Sequence, residues 1–161
     1  MLQAWTRADA VAVLGLRGMM TFLSKVLDVF SRQAWWAAFI NLKPVSSSRP
    51  RVGKHGTYYA MSYKVWRKEA LPQVIAQAKG VLKTSGPLGV IIDLVCPHPK
   101  TVIRLFPRGD ADNYCKGPLD VVNDCRTVWD DDEQVVALLV LKHFPTILEP
   151  VGTTISVYPM D

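Results

Sequence analysis

The chain has 161 residues, of which 49% are hydrophobic and 20% charged, with a formal net charge of +5 and a pI near 9.2. That length and apolar share fit one folded, soluble domain with a sizeable core and exclude a disordered or low-complexity chain. The three cysteines, Cys96, Cys115 and Cys125, form no C-x-x-C pair and leave one over, so no disulfide framework is expected and a reducing cytoplasm suits them.

Residues 1–36 read as an N-terminal extension. The apolar run from Ala8 to Leu23 is interrupted by Asp9, Gly15, Arg17 and Gly18, too broken and too short for a membrane span. No clear small-residue cleavage site follows it, as a signal peptide would need. Phe22, Leu23, Val26, Leu27 and Phe30 recur at helical spacing and suit an amphipathic helix packed on the core or on a second subunit. The alternative is a partly disordered segment, or start-site choice at Met19 or Met20.

Residues 37–161 read as the main domain. Trp36 to Leu42 suits a strand, and Lys43 to Gly56, rich in Ser, Pro, Gly and basic residues, suits a mobile loop of the kind that closes on a ligand. From Ser62 to Lys79 the recurrence of Tyr63, Trp66, Ala70, Val74 and Ala78 predicts a helix, kinked at Pro72. Val90 to Cys96 and Thr101 to Phe106 read as strands, joined as a hairpin around Pro97-His98-Pro99. A helix is expected over Leu119 to Cys125, and strands over Gln134 to His143 and Thr153 to Tyr158. The order of elements predicts a single α/β (α+β) domain, a mixed β-sheet packed by helices.

Charge is distributed unevenly. No acid falls between Asp28 and Glu69, while Arg32, Lys43, Arg49, Arg51, Lys54, Lys64, Arg67 and Lys68 all do. A phosphate backbone is the natural partner of such a one-signed segment, and binding through it would weaken steeply with salt; the duller reading is a solvated basic face. Lys43, Arg49, Arg51 and Lys54 are the candidate DNA contacts, placed in the loop before Tyr58 and Tyr59.

The acids are crowded instead. The stretch between Gly109 and Val135 holds eight of the fourteen acidic residues. Carboxylates a few ångströms apart raise one another's pKa and are relieved by a cation or by water. A hard divalent ion such as Mg²⁺ is a natural candidate, taking a few carboxylates plus substrate phosphate oxygens. In an extended segment Asp110 and Asp112 leave on the same side, and a helix beginning near Asp112 sets Lys116 one turn later on the same face. A lysine there can meet charge building on a phosphoryl group. Asp130, Asp131 and Asp132 follow after a helix-length interval, which would fold the chain back and bring the two acidic groups together. Asp112 as a helix N-cap is the plain alternative. Gly117-Pro118 falls where a helix is expected, so the helix either kinks or starts near Gly117. A zinc site built from Cys96, His98, Cys115 and Cys125 matches no standard finger or ribbon spacing.

The string Asp110-Ala111-Asp112-Asn113-Tyr114-Cys115-Lys116, then Leu119-Asp120, then Trp129-Asp130-Asp131-Asp132-Glu133-Gln134-Val135 resembles the D-x-D-N-x-x-K … D … D-D-x-Q-V signature of the RusA family of Holliday junction resolvases. Upstream, Arg49-Pro50-Arg51-Val52, Gly56, Tyr58, Tyr59, Tyr63 and Trp66 are similar to the opening segment of phage-borne members, so the resemblance covers roughly residues 37–159. It implies a Mg²⁺-dependent, homodimeric endonuclease of the cytoplasm, with no membrane partner, that resolves four-way DNA junctions by symmetric paired nicks. Carried over, the metal ligands are Asp110, Asp112 and Asp132, with Asp131 as the neighbouring alternative, and Lys116 is the catalytic lysine. Asn113 and Asp120 fit as supporting residues, Asp120 orienting Lys116 across an i,i+4 pair. Two other classes remain open: a nucleic-acid-binding module whose acidic site is inactive, and a metal-dependent phosphohydrolase acting on small nucleotides.

Overall fold

The computed structural model describes residues 23–47, 51–53, 56–58, 60–101 and 103–160. In chain order these form helix α1 (residues 23–31), strands β1 (Trp36–Ile40), β2 (Arg51–Gly53) and β3 (Gly56–Tyr58), helix α2 (Met61–Gln77), strand β4 (Leu88–Val95), helix α3 (Ala111–Cys125), a 3₁₀ turn (Asp132–Gln134) and strands β5 (Val135–His143) and β6 (Gly152–Pro159). The main sheet runs β1-β6-β4-β5. Its pairs are antiparallel except β4 with β5, so the domain is α+β with a mixed sheet, as the sequence suggests.

Period-two burial shows why these strands form. On β4, Leu88, Val90, Ile92 and Leu94 point to one face and are fully buried. They meet Ile155 and Val157 of β6 and Trp36, Ala38 and Ile40 of β1, under Trp66, Ala70 and Val74 of α2 and Val121, Val122 and Cys125 of α3. Each such aliphatic side chain contributes roughly 1.5–3 kcal/mol relative to exposure. Two helices thus cover one face of the sheet. On the other face α1 docks at one corner, where the Phe30 ring lies edge-on to Tyr158 with centroids 5.3 Å apart and lies against Gly89. Phe30 makes this contact beside the buried Val29, whereas Leu23 and Leu27 stay exposed, so the packed stripe is narrower than the helical spacing implies. Residues 1–22 lie outside the described residues.

Three elements differ from their sequence expectation. Thr101 to Phe106 is not a strand where it is described; Ile103 and Leu105 are almost fully exposed and Phe106 is mostly so. Both sides of β4 are already taken, by β5 and by β6, so a hairpin around Pro97-His98-Pro99 has no edge to pair with. Helix α3 starts at Ala111, close to the start near Asp112 that sets Lys116 one turn later rather than near Gly117 or Leu119, and passes through Gly117-Pro118. Tertiary packing overrides the breaker: both residues are buried, and a Cβ on Gly117 would come within 3.1 Å of the Trp66 ring and 3.3 Å of the Tyr63 ring, so glycine lets α2 and α3 approach. Pro72 likewise lies inside α2 without ending it. The loop expected over Lys43 to Gly56 contains the β2–β3 hairpin, and residues 48–50 and 54–55 of it lie outside the described residues.

Candidate nuclease centre

The acidic stretch separates into paired and unpaired carboxylates. In the second half of α3, Asp124 receives two hydrogen bonds from Arg67 of α2, at 2.6 and 2.7 Å, which hold the guanidinium further above its already high pKa range. Asp120 accepts from the Tyr63 hydroxyl and lies 3.4 Å from the Lys116 ammonium, the i,i+4 geometry expected from the spacing. Asp130 pairs with Lys83 at 2.5 Å. Asp131 caps the 3₁₀ turn, accepting from the Glu133 amide at 3.0 Å, while the Gln134 side chain accepts from the amides of Asp130 and Asp131. Gln134 also donates to the carbonyls of Thr84 and Gly86, clipping the acidic triplet to the loop before β4.

Asp110, Asp112 and Asp132 are different. None of them makes an ion pair among the described residues. Asp110 is the N-cap of α3 without a side-chain cap bond, and the Asn113 amide lies 3.5 Å from its carboxylate. Asp112 stands in the first turn, exposed, one turn before Lys116. Carboxylates without cations at a helix N-terminus are chemically suited to a hard divalent ion. The backbone of the same turn is anchored from outside, because the Asn113 carbonyl accepts from both the amide and the hydroxyl of buried Ser47, at 2.7 and 2.8 Å. The basic segment after β1 is thereby tied beside Asp112.

Within one chain the two acidic groups are not brought together. Lys142, near the end of β5, bonds the Gly109 carbonyl and stands over the Tyr114 ring, fixing the start of α3 at that end of the strand. Asp132 lies just before the start of β5. Helix and strand therefore run in opposite directions, and the fifteen residues of α3, at about 1.5 Å each, set Asp110 and Asp132 roughly 20 Å apart. The expectation that the intervening helix folds the second acidic group back onto the first is corrected accordingly. The only three acidic, His or Cys side chains among the described residues with ligand atoms all within 4.8 Å are Asp93, His143 and Glu149. There His143 Nε2 lies 2.9 Å from Asp93 and Nδ1 2.9 Å from the Phe144 carbonyl, so both ring nitrogens face acceptors. The Phe144 carbonyl pushes the His143 pKa up most, burial opposes it, and Asp93 and then Glu149 add to the rise.

A cavity of about 590 Å³ opens at the α3 start, between the ends of β4 and β5. Lys43, Lys100, Arg104, Arg108 and His98 line it, with Tyr114 and Phe144, and His98 stacks on Phe144 at 4.4 Å. Of the DNA contacts named from the sequence, Lys43 is here; Arg51 lies on β2, and Arg49 and Lys54 lie outside the described residues. Lys100, Arg104 and Arg108 were missed by the sequence reading. Their signal was three cations immediately before Asp110 with no acid among them. Burial raises the Cys96 and Cys115 thiols above their ordinary value, which leaves them protonated at neutral pH.

The model of the RusA endodeoxyribonuclease family matches residues 41–158, most of the chain. The chain belongs to the RusA endodeoxyribonuclease family. A search of curated proteins finds no match. The RusA match runs from the end of β1 to β6 and contains both acidic groups and the basic cavity. RusA membership makes the chain a nuclease of the hydrolase class, in a family whose activity is Holliday junction resolution. It also points to a divalent metal. No helix among the described residues is long and apolar enough to cross a membrane.

Proposed function

We propose that this RusA-family chain is a Mg²⁺-dependent endonuclease of the bacterial or phage-infected cytoplasm that binds four-way DNA junctions as a homodimer and resolves them by paired symmetric nicks. The observation that carries the reading is the division of the carboxylates: Asp120, Asp124 and Asp130 have cations and Asp131 has a capping role, whereas Asp110, Asp112 and Asp132, like the exposed Glu133, make no ion pair among the described residues and are available to a metal. Asp131 is the weaker ligand candidate because its carboxylate already accepts from a main-chain amide.

Bound Mg²⁺ would polarise the scissile phosphate and lower the pKa of the attacking water. The chain's own residues do the rest. Lys116, held by Asp120, stabilises charge on the phosphoryl oxygens or on the leaving oxygen. Lys43, Lys100, Arg104 and Arg108 seat the backbone phosphates next to the carboxylates. Exposed Ile103, Leu105 and Phe106, interleaved with Arg104, offer apolar contact where a junction opens its base stack.

Cleavage of a labelled four-way junction and of a linear duplex, each with Mg²⁺ and with EDTA, tests this. Junction-selective nicking that EDTA abolishes is expected. Junction binding without nicking would return the chain to an inactive binding module, and salt-insensitive hydrolysis of free nucleotides would make it a phosphohydrolase.

A further inference from the structure

A cluster of metal-ligating side chains lies away from the acidic stretch. Along β4, Ile92 and Leu94 point into the helix-covered core, so Asp93 between them leaves from the opposite face of the sheet. Its cross-strand neighbour on β5 is Leu141, and His143 two residues on comes out on that same face. Glu149 arrives from the loop between β5 and β6, its carboxylate held by the amide and hydroxyl of Thr146 at 2.9 and 3.0 Å. Three elements thus bring two carboxylates and an imidazole to one point, with a ligand atom of each within 4.8 Å of the others. The three side chains are between 27% and 37% exposed, open enough to admit an ion and keep a water on it.

The hydrogen bonds of the histidine select the ligand nitrogen. Nδ1 lies 2.9 Å from the Phe144 carbonyl, which only accepts, so Nδ1 carries a proton and Nε2 directs its own electron pair at Asp93 Oδ1, also 2.9 Å away. Two electron-pair donors at that separation are joined by a proton in the metal-free protein or by a cation. An imidazole whose far N–H is fixed by a main-chain carbonyl is the arrangement that metal-binding histidines adopt.

We propose that Asp93, His143 and Glu149 form a second divalent-metal site, for a transition ion of the Zn²⁺ class, which fastens the β5–β6 loop to the ends of β4 and β5. The proposal stands independently of the nuclease reading. Imidazole nitrogen favours Zn²⁺ over Mg²⁺, whereas the all-oxygen set at the start of α3 has the opposite preference. Ligands about 2.0–2.1 Å from a tetrahedral ion stand roughly 3.3 Å apart, so Asp93 and Nε2 open by about half an ångström and Glu149 closes in by at most about 1.5 Å. The ion takes the place of the Nε2 proton, which leaves to solvent, and a water fills the fourth position. Phe144, whose carbonyl bonds His143, also stacks its ring on His98 in the wall of the basic cavity, so a bound ion holds that wall from behind.

The test is titration of the full chain with Zn²⁺ and with Co²⁺ in a large excess of Mg²⁺, beside H143Q, E149Q and D112N, each checked for native circular dichroism. Wild type and D112N should take one Zn²⁺ per chain and unfold several degrees higher with it. Co²⁺ should give the visible bands of nitrogen and oxygen ligation without the charge-transfer band of a thiolate. H143Q should lose the ion, and E149Q should hold it at least about tenfold more weakly; if H143Q does not fold, E149Q decides. Binding that persists unchanged in E149Q, or that carries the thiolate band of Cys96, Cys115 or Cys125, would put the ion elsewhere and overturn the proposal. So would a wild type that takes no Zn²⁺, which would leave a proton alone between Asp93 and His143. Nicking is not among these readouts, so the nuclease reading stands or falls separately.

Discussion

The two halves of α3 carry the same kind of side chain under opposite conditions. In the C-terminal half Asp120 and Asp124 are held by Tyr63, Lys116 and Arg67, so their charge is spent on joining α3 to α2 and on orienting a lysine. At the N-terminal end Asp110 and Asp112 make no ion pair among the described residues, and Lys43, Lys100, Arg104 and Arg108 line a cavity at the same helix start. A carboxylate with a protein partner supports the fold, and one left without a partner beside a basic cavity is available to a ligand. Sequence proximity does not distinguish the two, because all four lie within one helix or its cap.

The sharpest way to break this comparison is to neutralise one acid from each half. Asp112→Asn should lower nicking by at least about a hundredfold, since losing even outer support of a metal costs 10–100-fold, while thermal stability stays unchanged and junction binding is kept or tightened. Loss of binding together with cleavage would remove Asp112 from the ligand set. Next in size, Arg104→Gln with Arg108→Gln should weaken junction binding by about tenfold at moderate salt and flatten the plot of log affinity against log salt by about 2, one unit per phosphate contact. An unchanged slope would place DNA elsewhere. Asp124→Asn should leave nicking intact and destabilise the fold by about 1 kcal/mol, the scale of a half-exposed ion pair strengthened by two charge-assisted bonds. Denaturant unfolding measures this; a catalytic defect without a stability change would erase the distinction between the halves.

The smallest effect belongs to His143. Its folded pKa is raised above 6.5, so the stability it contributes is fully present below about pH 6.5 and is lost as pH rises through the folded value. His143→Gln should therefore cost stability at pH 6 and little at pH 9. An NMR titration placing the imidazole below 6.5 would contradict the cluster.

Much of this molecule was legible in the chain. The period-two runs in β4 and β6 and the Tyr63-Trp66-Ala70-Val74 stripe of α2 follow from burying one face of each element, a local demand that sequence records directly. The D-x-D-N-x-x-K and D-D-x-Q-V strings point to the family because their residue types recur in fixed order at short spacing, and the family model matches residues 41–158. The i,i+4 contact of Lys116 with Asp120 is equally local.

Only the tertiary structure decided the rest, because it depends on elements distant in sequence. Gly117-Pro118 reads as a helix break until Tyr63 and Trp66 of α2 pack onto it. Residue type alone does not separate Asp130, Asp131 and Asp132, and only the resemblance favours Asp132; in the fold Lys83 pairs with Asp130 and Asp131 caps the 3₁₀ turn. Thr101 to Phe106 is apolar enough for a strand, but β4 has no free edge. The antiparallel course of α3 and β5 sets Asp110 and Asp132 at opposite ends of β5, since pairing partners and chain direction arise from long-range packing that no local pattern encodes.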